Sequence, residues 1–441
     1  MRRVHLLCWC WVAALVALCA VGVSAAAEPP LPPPVSVGPL QVKAVRWLAE
    51  GYNPVWASDG SFFVVSRAEA GFFRYASDGS REARLGKNTE AFCDLSPDGK
   101  SVLYCQTRVV TGKWKGRQYQ IRVANGVWLM RTDGTGRRLV NKKTGFAKWS
   151  SDGRYFLCQA QRGPTVWGEP VSQEGPVSVY DRSGKLVRQL DYAASPPSWS
   201  GDGQYLAYVG KAGKIYLARG DGSSPKVADQ PTGGEPYARL WWSPRGHNLL
   251  YAWKKQRYGI PTGPLCHLAP GRTPIEICDT FRTVIWSPSG DRAVATSGQG
   301  LLTAFAFPKG KDPEVLFSRE PGADAIVLWS GDGRSLFYTA QDGLWLASAE
   351  SEEDRPLSHQ AKLFPLASLT GGILVCTERK DWWQSRPSLL DPERDESSPL
   401  ISDPEVVIPE RPATSVRAMV LPVWSKTMGS KLLLFQITRG T

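Results

Sequence analysis

Seven times between residues 56 and 333 the chain repeats one phrase: an apolar residue, a small turn, then a short apolar strand. The copies are Trp56-Ala57-Ser58-Asp59-Gly60, Leu95-Ser96-Pro97-Asp98-Gly99, Trp149-Ser150-Ser151-Asp152-Gly153, Trp199-Ser200-Gly201-Asp202-Gly203, Trp242-Ser243-Pro244-Arg245-Gly246, Trp286-Ser287-Pro288-Ser289-Gly290 and Trp329-Ser330-Gly331-Asp332-Gly333. Successive anchors stand 39, 54, 50, 43, 44 and 43 residues apart. A period of about 40–50 residues built from turns and short strands is the signature of a β-propeller, one unit per blade.

The repeat overrides what length alone would suggest. A chain of 441 residues could hold several domains, but blades that cannot bury their faces alone must stack into one ring. The 43 Gly and 34 Pro fall largely at the turns, which speaks for many tight connections rather than disorder. Of the 18 Trp, seven (56, 149, 199, 242, 286, 329 and 424) stand at repeat anchors, where large aromatics are expected to wedge between neighbouring blades. The Asp-Gly pairs read as turn chemistry, Asp for the tight bend and Gly for its positive φ, and not as metal ligands.

A second hairpin follows in most units. Gly71-Phe72-Phe73-Arg74-Tyr75 leads to Ser77-Asp78-Gly79, and Lys214-Ile215-Tyr216-Leu217 leads to Gly220-Asp221-Gly222. Two hairpins make four antiparallel strands, which is one blade. This pattern resembles the WD40-like repeat of TolB-type β-propellers, periplasmic or secreted proteins of bacteria, clearly over residues 50–350. The resemblance implies fold more than function, since such propellers serve as receptors, scaffolds, protease gates and occasionally enzymes. Beyond it, Leu369–Val375 with Ser388–Asp391 reads as a degenerate eighth unit, and Val423-Trp424-Ser425 with Leu432–Phe435 as a last anchor and strand. A strand near Leu40–Val45 is expected to close the ring there. The fold class is thus all-β, a closed propeller of four-stranded antiparallel blades. Eight blades are expected, with seven as the alternative if residues 360–441 form something else.

The N-terminus reads as a targeting segment. Arg2 and Arg3 precede an uncharged run from Leu6 to Ala27 that ends in small residues. This suits a secretory signal over residues 1–26; left uncleaved, the run is long enough to anchor the chain in a membrane. Residues 27–38 are Pro-rich and read as a linker, and residues 39–441 as a single propeller domain. The expected location is periplasmic or secreted, with membrane contact only through that segment. Loss of Arg2 and Arg3 lowers the formal charge from +12 to +10, which favours anionic partners. Six cysteines remain, in a compartment that permits disulfides. Cys93 with Cys105 and Cys266 with Cys278 flank hairpin turns and could bridge. Buried free thiols are the favoured state, because cross-strand bridges are strained. Cys158 and Cys376 are expected free.

No catalytic motif emerges. The chain has no G-x-S-x-G elbow, no H-E-x-x-H and only four His, at 5, 247, 267 and 359, with His247 and His359 expected in turn or surface roles. Neither cofactor nor metal is implied.

The irregular features are four long connections between the second and third strands of a unit, all expected on one face of the disc. Residues 106–125 hold Lys113, Trp114, Lys115, Arg117 and Tyr119; residues 254–264 hold Lys254, Lys255, Arg257 and Tyr258; residues 377–388 hold Trp382 and Trp383. With the fourth, 159–176, their net charges are +5, +3, +1 and −1, most of the mature chain's excess. Cations interleaved with aromatics hold anionic polymers by charge and stacking. The reading is an exported, non-enzymatic binding or scaffold protein whose partner is an anionic glycan or an acidic envelope protein. The alternative is a polysaccharide lyase or hydrolase using the same face. Export disfavours nucleic acid.

Overall fold

The computed structural model describes residues 30–439 apart from 50, 68–69, 115–116, 160–164, 167–168, 171–174, 234–236, 255–263, 280, 298, 323–324, 349–353, 359–362, 370–372, 382–383, 395, 402–412, 416 and 426–428. Blades 1 to 8 occupy residues 52–84, 90–141, 146–193, 198–229, 237–278, 283–319, 327–358 and 363–399. Each is a run of four antiparallel strands, A to D, counted outward from the ring's centre. The ninth blade is assembled from both ends of the chain. Ala413–Thr414, Ala418–Ser425 and Gly429–Arg439 supply strands A, B and C, and Leu40–Leu48 supplies strand D. Val35–Val37 adds a fifth, outermost strand.

The ring therefore has nine blades, not the expected eight or the alternative seven. The eighth unit is degenerate only in its anchor: it completes four strands from contiguous chain and leaves the closing strand nothing to finish. The terminal segment must then be a blade of its own. Trp424, read as an anchor, lies instead at the far end of strand B of blade 9, and Thr414 occupies the anchor position. The closing strand is where it was expected, paired from Leu40 opposite Arg439 to Leu48 opposite Leu432 with one bulge between Ala44 and Arg46.

All seven repeat anchors end strand A of blades 1 to 7, and the turn after each shows why the phrase recurs. The hydroxyls of Ser96, Ser150, Ser200 and Ser330 donate to the carboxylate two residues on at 2.5–2.7 Å. The same oxygen of Asp98, Asp152, Asp202 and Asp332 accepts a backbone N–H at 3.0–3.1 Å. The following glycines adopt φ of 67–74°, which a side chain would strain. Hydrogen bonds from the Ser330 hydroxyl and the Arg334 amide hold the Asp332 carboxyl below the usual carboxylate range. These aspartates are engaged in the turns themselves.

The core is divided among the blade interfaces. Nine apolar clusters form, and each joins residues of two adjacent blades, including the pair 9 and 1 across the closure. Indoles tie three consecutive interfaces. Trp242, Trp286 and Trp329 donate their Nε1 hydrogens to the carbonyls of Ser198, Trp241 and Ile285 at 2.9, 3.0 and 3.1 Å. Each acceptor is the residue just before the anchor of the preceding blade, so the anchor both fills the interface and sets its register. Between blades 2 and 3 the device changes: Asp94 accepts the backbone N–H of Trp149 at 2.8 Å, and the Trp149 indole N–H is buried without a partner.

All six described cysteines are free thiols. Register sets the second hairpin pair apart, whereas the Cys93 and Cys105 thiols lie within hydrogen-bond reach of each other as unbridged thiols. Cys93 lies in a bulge between Phe92 and Asp94 while Cys105 faces Ala91; Cys278 faces Leu265 while Cys266 faces Glu276.

One buried histidine makes stability depend on pH. His267, in strand C of blade 5 (Leu265–Leu268), is 4% exposed, lies 3.2 Å from Asn248 Oδ1 and packs on Phe307 of blade 6. Burial, and then the nearby Arg272 charge, lower its pKa to about 4. The unfolded chain, with a pKa near 6.5, takes up the proton first as pH falls, so stability is lost between about pH 6.5 and 4. Urea unfolding at pH 7 and pH 5 should differ by about 2 kcal/mol more in the wild type than in His267→Gln. Equal differences in the two proteins would refute the assignment.

Candidate binding face

Strand order decides which connections share a face. In each blade A–B and C–D turns point one way, and B–C connections point the other with the passages between blades. All four long connections therefore emerge on the face opposite the Asp-Gly turns.

The first of them is a ribbon, not a loop. Strands B and C of blade 2, Ser101–Trp114 and Arg117–Arg131, continue past a bulge between Cys105 and Thr107. They stay paired from Thr107 opposite Ala124 to Trp114 opposite Arg117. Lys113, Trp114, Arg117 and Tyr119 thus belong to the outer part of this ribbon, and Lys115 lies outside the described residues. β-Branched residues explain the extension: Thr107, Val109, Val110, Thr111, Ile121 and Val123 all favour a pleated strand.

The insertion of blade 3 joins it. Thr165–Val166 and Glu169–Pro170 form a small hairpin, and Thr165 pairs with Arg122 of the ribbon. Two connections from neighbouring blades thereby become one projecting sheet. Blade 8 repeats the ribbon on a smaller scale, Leu374–Asp381 paired with Gln384–Asp391 up to Asp381 opposite Gln384. Trp382 and Trp383 lie outside the described residues.

In blade 5, Lys254 ends strand B (Leu249–Lys254), while Lys255, Arg257 and Tyr258 lie outside the described residues. Lys254 is half-buried, and burial followed by the charge of Arg239 lowers its pKa. Arg239 is an exposed cation on strand A (Tyr237–Trp242), its guanidinium 5.0 Å over the Trp241 ring. Lys148 is likewise exposed on the innermost strand of blade 3, Phe146–Trp149. Sequence reasoning passed over both because it sought site residues only in the four long connections. The signal lay in alternation, since Lys148 precedes its anchor by one residue and Arg239 by three, at the polar positions of a period of two.

Among the histidines, His247 Nδ1 lies 3.0 Å from Asp202 Oδ2, joining the anchor turns of blades 4 and 5 on the opposite face. His359 is outside the described residues. Among the described residues no three His, Cys, Asp or Glu side chains cluster as a metal site. Among them too, no helix is long and apolar enough to cross a membrane.

No family model matches the sequence, and no curated protein matches it. Solved structures do. A eukaryotic initiation factor superposes with a TM-score of 0.57 at 13% identity, over 88% of this chain and 90% of that one. Dipeptidyl peptidase 4 of Porphyromonas gingivalis gives 0.51 at 11% identity, over 90% of this chain and 58% of that one. BamB of Moraxella catarrhalis gives 0.45 at 10% identity, over 90% and 99% of the two chains. Identities this low carry fold and nothing of activity, so what the first two superpositions establish is the architecture alone: this chain is a closed β-propeller, and its own strands make nine blades.

Proposed function

We propose that this chain is an exported, non-enzymatic propeller of the TolB-like kind that binds an anionic glycan or an acidic partner protein through its B–C face. The observation that supports this best is the blade 2 ribbon. It projects beyond the blade, and residues 106–125 carry five cations and no acid. Lys254 and Arg239 add positive charge in blade 5, where burial of Lys254 weakens its hold on its own proton and an anion would restore it. The basic leader-like start and the Pro-rich stretch support export, since together they resemble a signal followed by a spacer.

The test is capture of polygalacturonate by the purified chain at several NaCl concentrations. Binding should weaken about tenfold or more between 50 and 200 mM salt, because exposed charge contacts are screened. Lys113→Glu, Lys115→Glu and Arg117→Glu together should abolish capture and leave the melting temperature close to wild type. Trp382→Ala with Trp383→Ala should cost about 1–3 kcal/mol per ring, a loss that low salt does not restore. Recovery of shortened oligosaccharide instead of intact polymer would replace the binding reading with a degradative one. Capture indifferent to salt and to the charge reversals would refute the basic face.

A further inference from the structure

The blade 2 ribbon has two edges, and the molecule treats them differently. Along strand C, Arg122 already pairs with Thr165 of the blade 3 hairpin, so that edge takes an added strand from within the chain. Along strand B, pairing with strand A (Glu90–Leu95) ends at Glu90 opposite Gln106. One step further, Thr107 donates its amide to the Thr89 carbonyl at 2.7 Å. Beyond that point, residues 108–114 have no strand on this side among the described residues.

The direction of the backbone groups follows from this. In an antiparallel ladder, alternate residues turn both N–H and C=O away from their own partner strand. The Thr107 amide, aimed at Thr89, shows that Thr107 is one of these. The register then runs unbroken to the tip, so Val109, Thr111 and Lys113 turn their amides and carbonyls outward as well. An edge of this kind is a template for another strand. Val109, on the same edge, is an aliphatic side chain left 52% exposed.

Charge selects the occupant. A second copy of the ribbon would bring five cations against five, and such basic guards are how edges avoid self-pairing. An acidic strand would meet the opposite field. We infer that the open edge of residues 108–114 accepts an extended acidic segment of a partner protein as an added strand. The inference rests on the proposed binding role of this face and narrows its ligand from any polyanion to a peptide.

The test uses a fluorescent decapeptide of alternating Glu and Val beside polygalacturonate. Thr111→Pro removes one outward amide without touching the ribbon's own ladder, a placement edge strands tolerate; Thr111→Ala is its control. Thr111→Pro should weaken peptide binding about tenfold and leave polygalacturonate capture unchanged, while Thr111→Ala changes neither. In the wild type, bound peptide should slow exchange of the Val109, Thr111 and Lys113 amides. Peptide binding that survives Thr111→Pro, or protection found only elsewhere, overturns the inference. If the wild type captures polygalacturonate but not the peptide, the edge fails and the basic face stands; if it captures neither, both readings fail.

Discussion

Removal of residues 30–48 should abolish the folded monomer. The lost segment is strand D of blade 9 and its outer neighbour, so deletion opens the ring at its only covalent discontinuity. Leu40, Val42, Trp47 and Leu48 are each no more than 7% exposed, and burial of such side chains contributes about 1.5–3 kcal/mol apiece. Their sum approaches the whole stability of an ordinary domain, about 5–15 kcal/mol. Deletion also bares the edge of Gly429–Arg439, an invitation to aggregate. Light scattering after size exclusion should show aggregates in place of a monomer, and a peptide spanning residues 35–48 should restore part of the monomer in trans. A point variant avoids the objection that deletion is merely drastic. Val42→Asp, a charge at a position 1% exposed, should lower the urea midpoint by several kcal/mol's worth. A truncated chain that stays monomeric with the wild-type melting temperature would show that closure is not what holds the ring.

The second large effect concerns the anchors. Trp329 is 3% exposed among Val294, Leu302, Ala304 and Phe317 of blade 6 and its own blade 7. Trp329→Ala should cost about 3–5 kcal/mol, as large aromatic truncations in cores do. Trp329→Phe keeps an aromatic ring but leaves the Ile285 carbonyl without its indole donor, and should cost at least about 1 kcal/mol from that bond alone. The same change at Trp149 removes a donor that is buried and unpartnered. Trp149→Phe should therefore destabilise less than Trp329→Phe. Urea unfolding of the three variants measures the contrast, and equal losses at the two sites would remove the indole bond as the cause.

Much of the candidate site was hidden for a different reason than the number of blades. The basic and aromatic residues of 106–125 were legible as charge and composition, yet their long spacing read as loop. The alternation of β-branched residues through Val109, Thr111, Ile121 and Val123 was present, but pairing between the two halves is what makes them strands. The Arg122–Thr165 pairing joins insertions from two blades, and no local pattern in either announces it.

The sequence by itself determined the unit. A serine, an aspartate and a glycine at fixed spacing close the turn after strand A through bonds spanning two to five residues, so the phrase carries its own geometry. It also located the closing strand, expected near Leu40–Val45 from the need to cover the last sheet edge, and apolar residues alternate with polar ones there from Leu40 to Ala44. The number of units was decided only by the tertiary structure. Blade count depends on which strand completes which sheet, and Leu40 meets Arg439 from the other end of the chain. The same holds for the interfaces, where an indole finds a carbonyl some 44 residues away in the preceding blade. Turns are short-range chemistry and can be read in order along the chain; a ring is a boundary condition, satisfied only when the last blade meets the first.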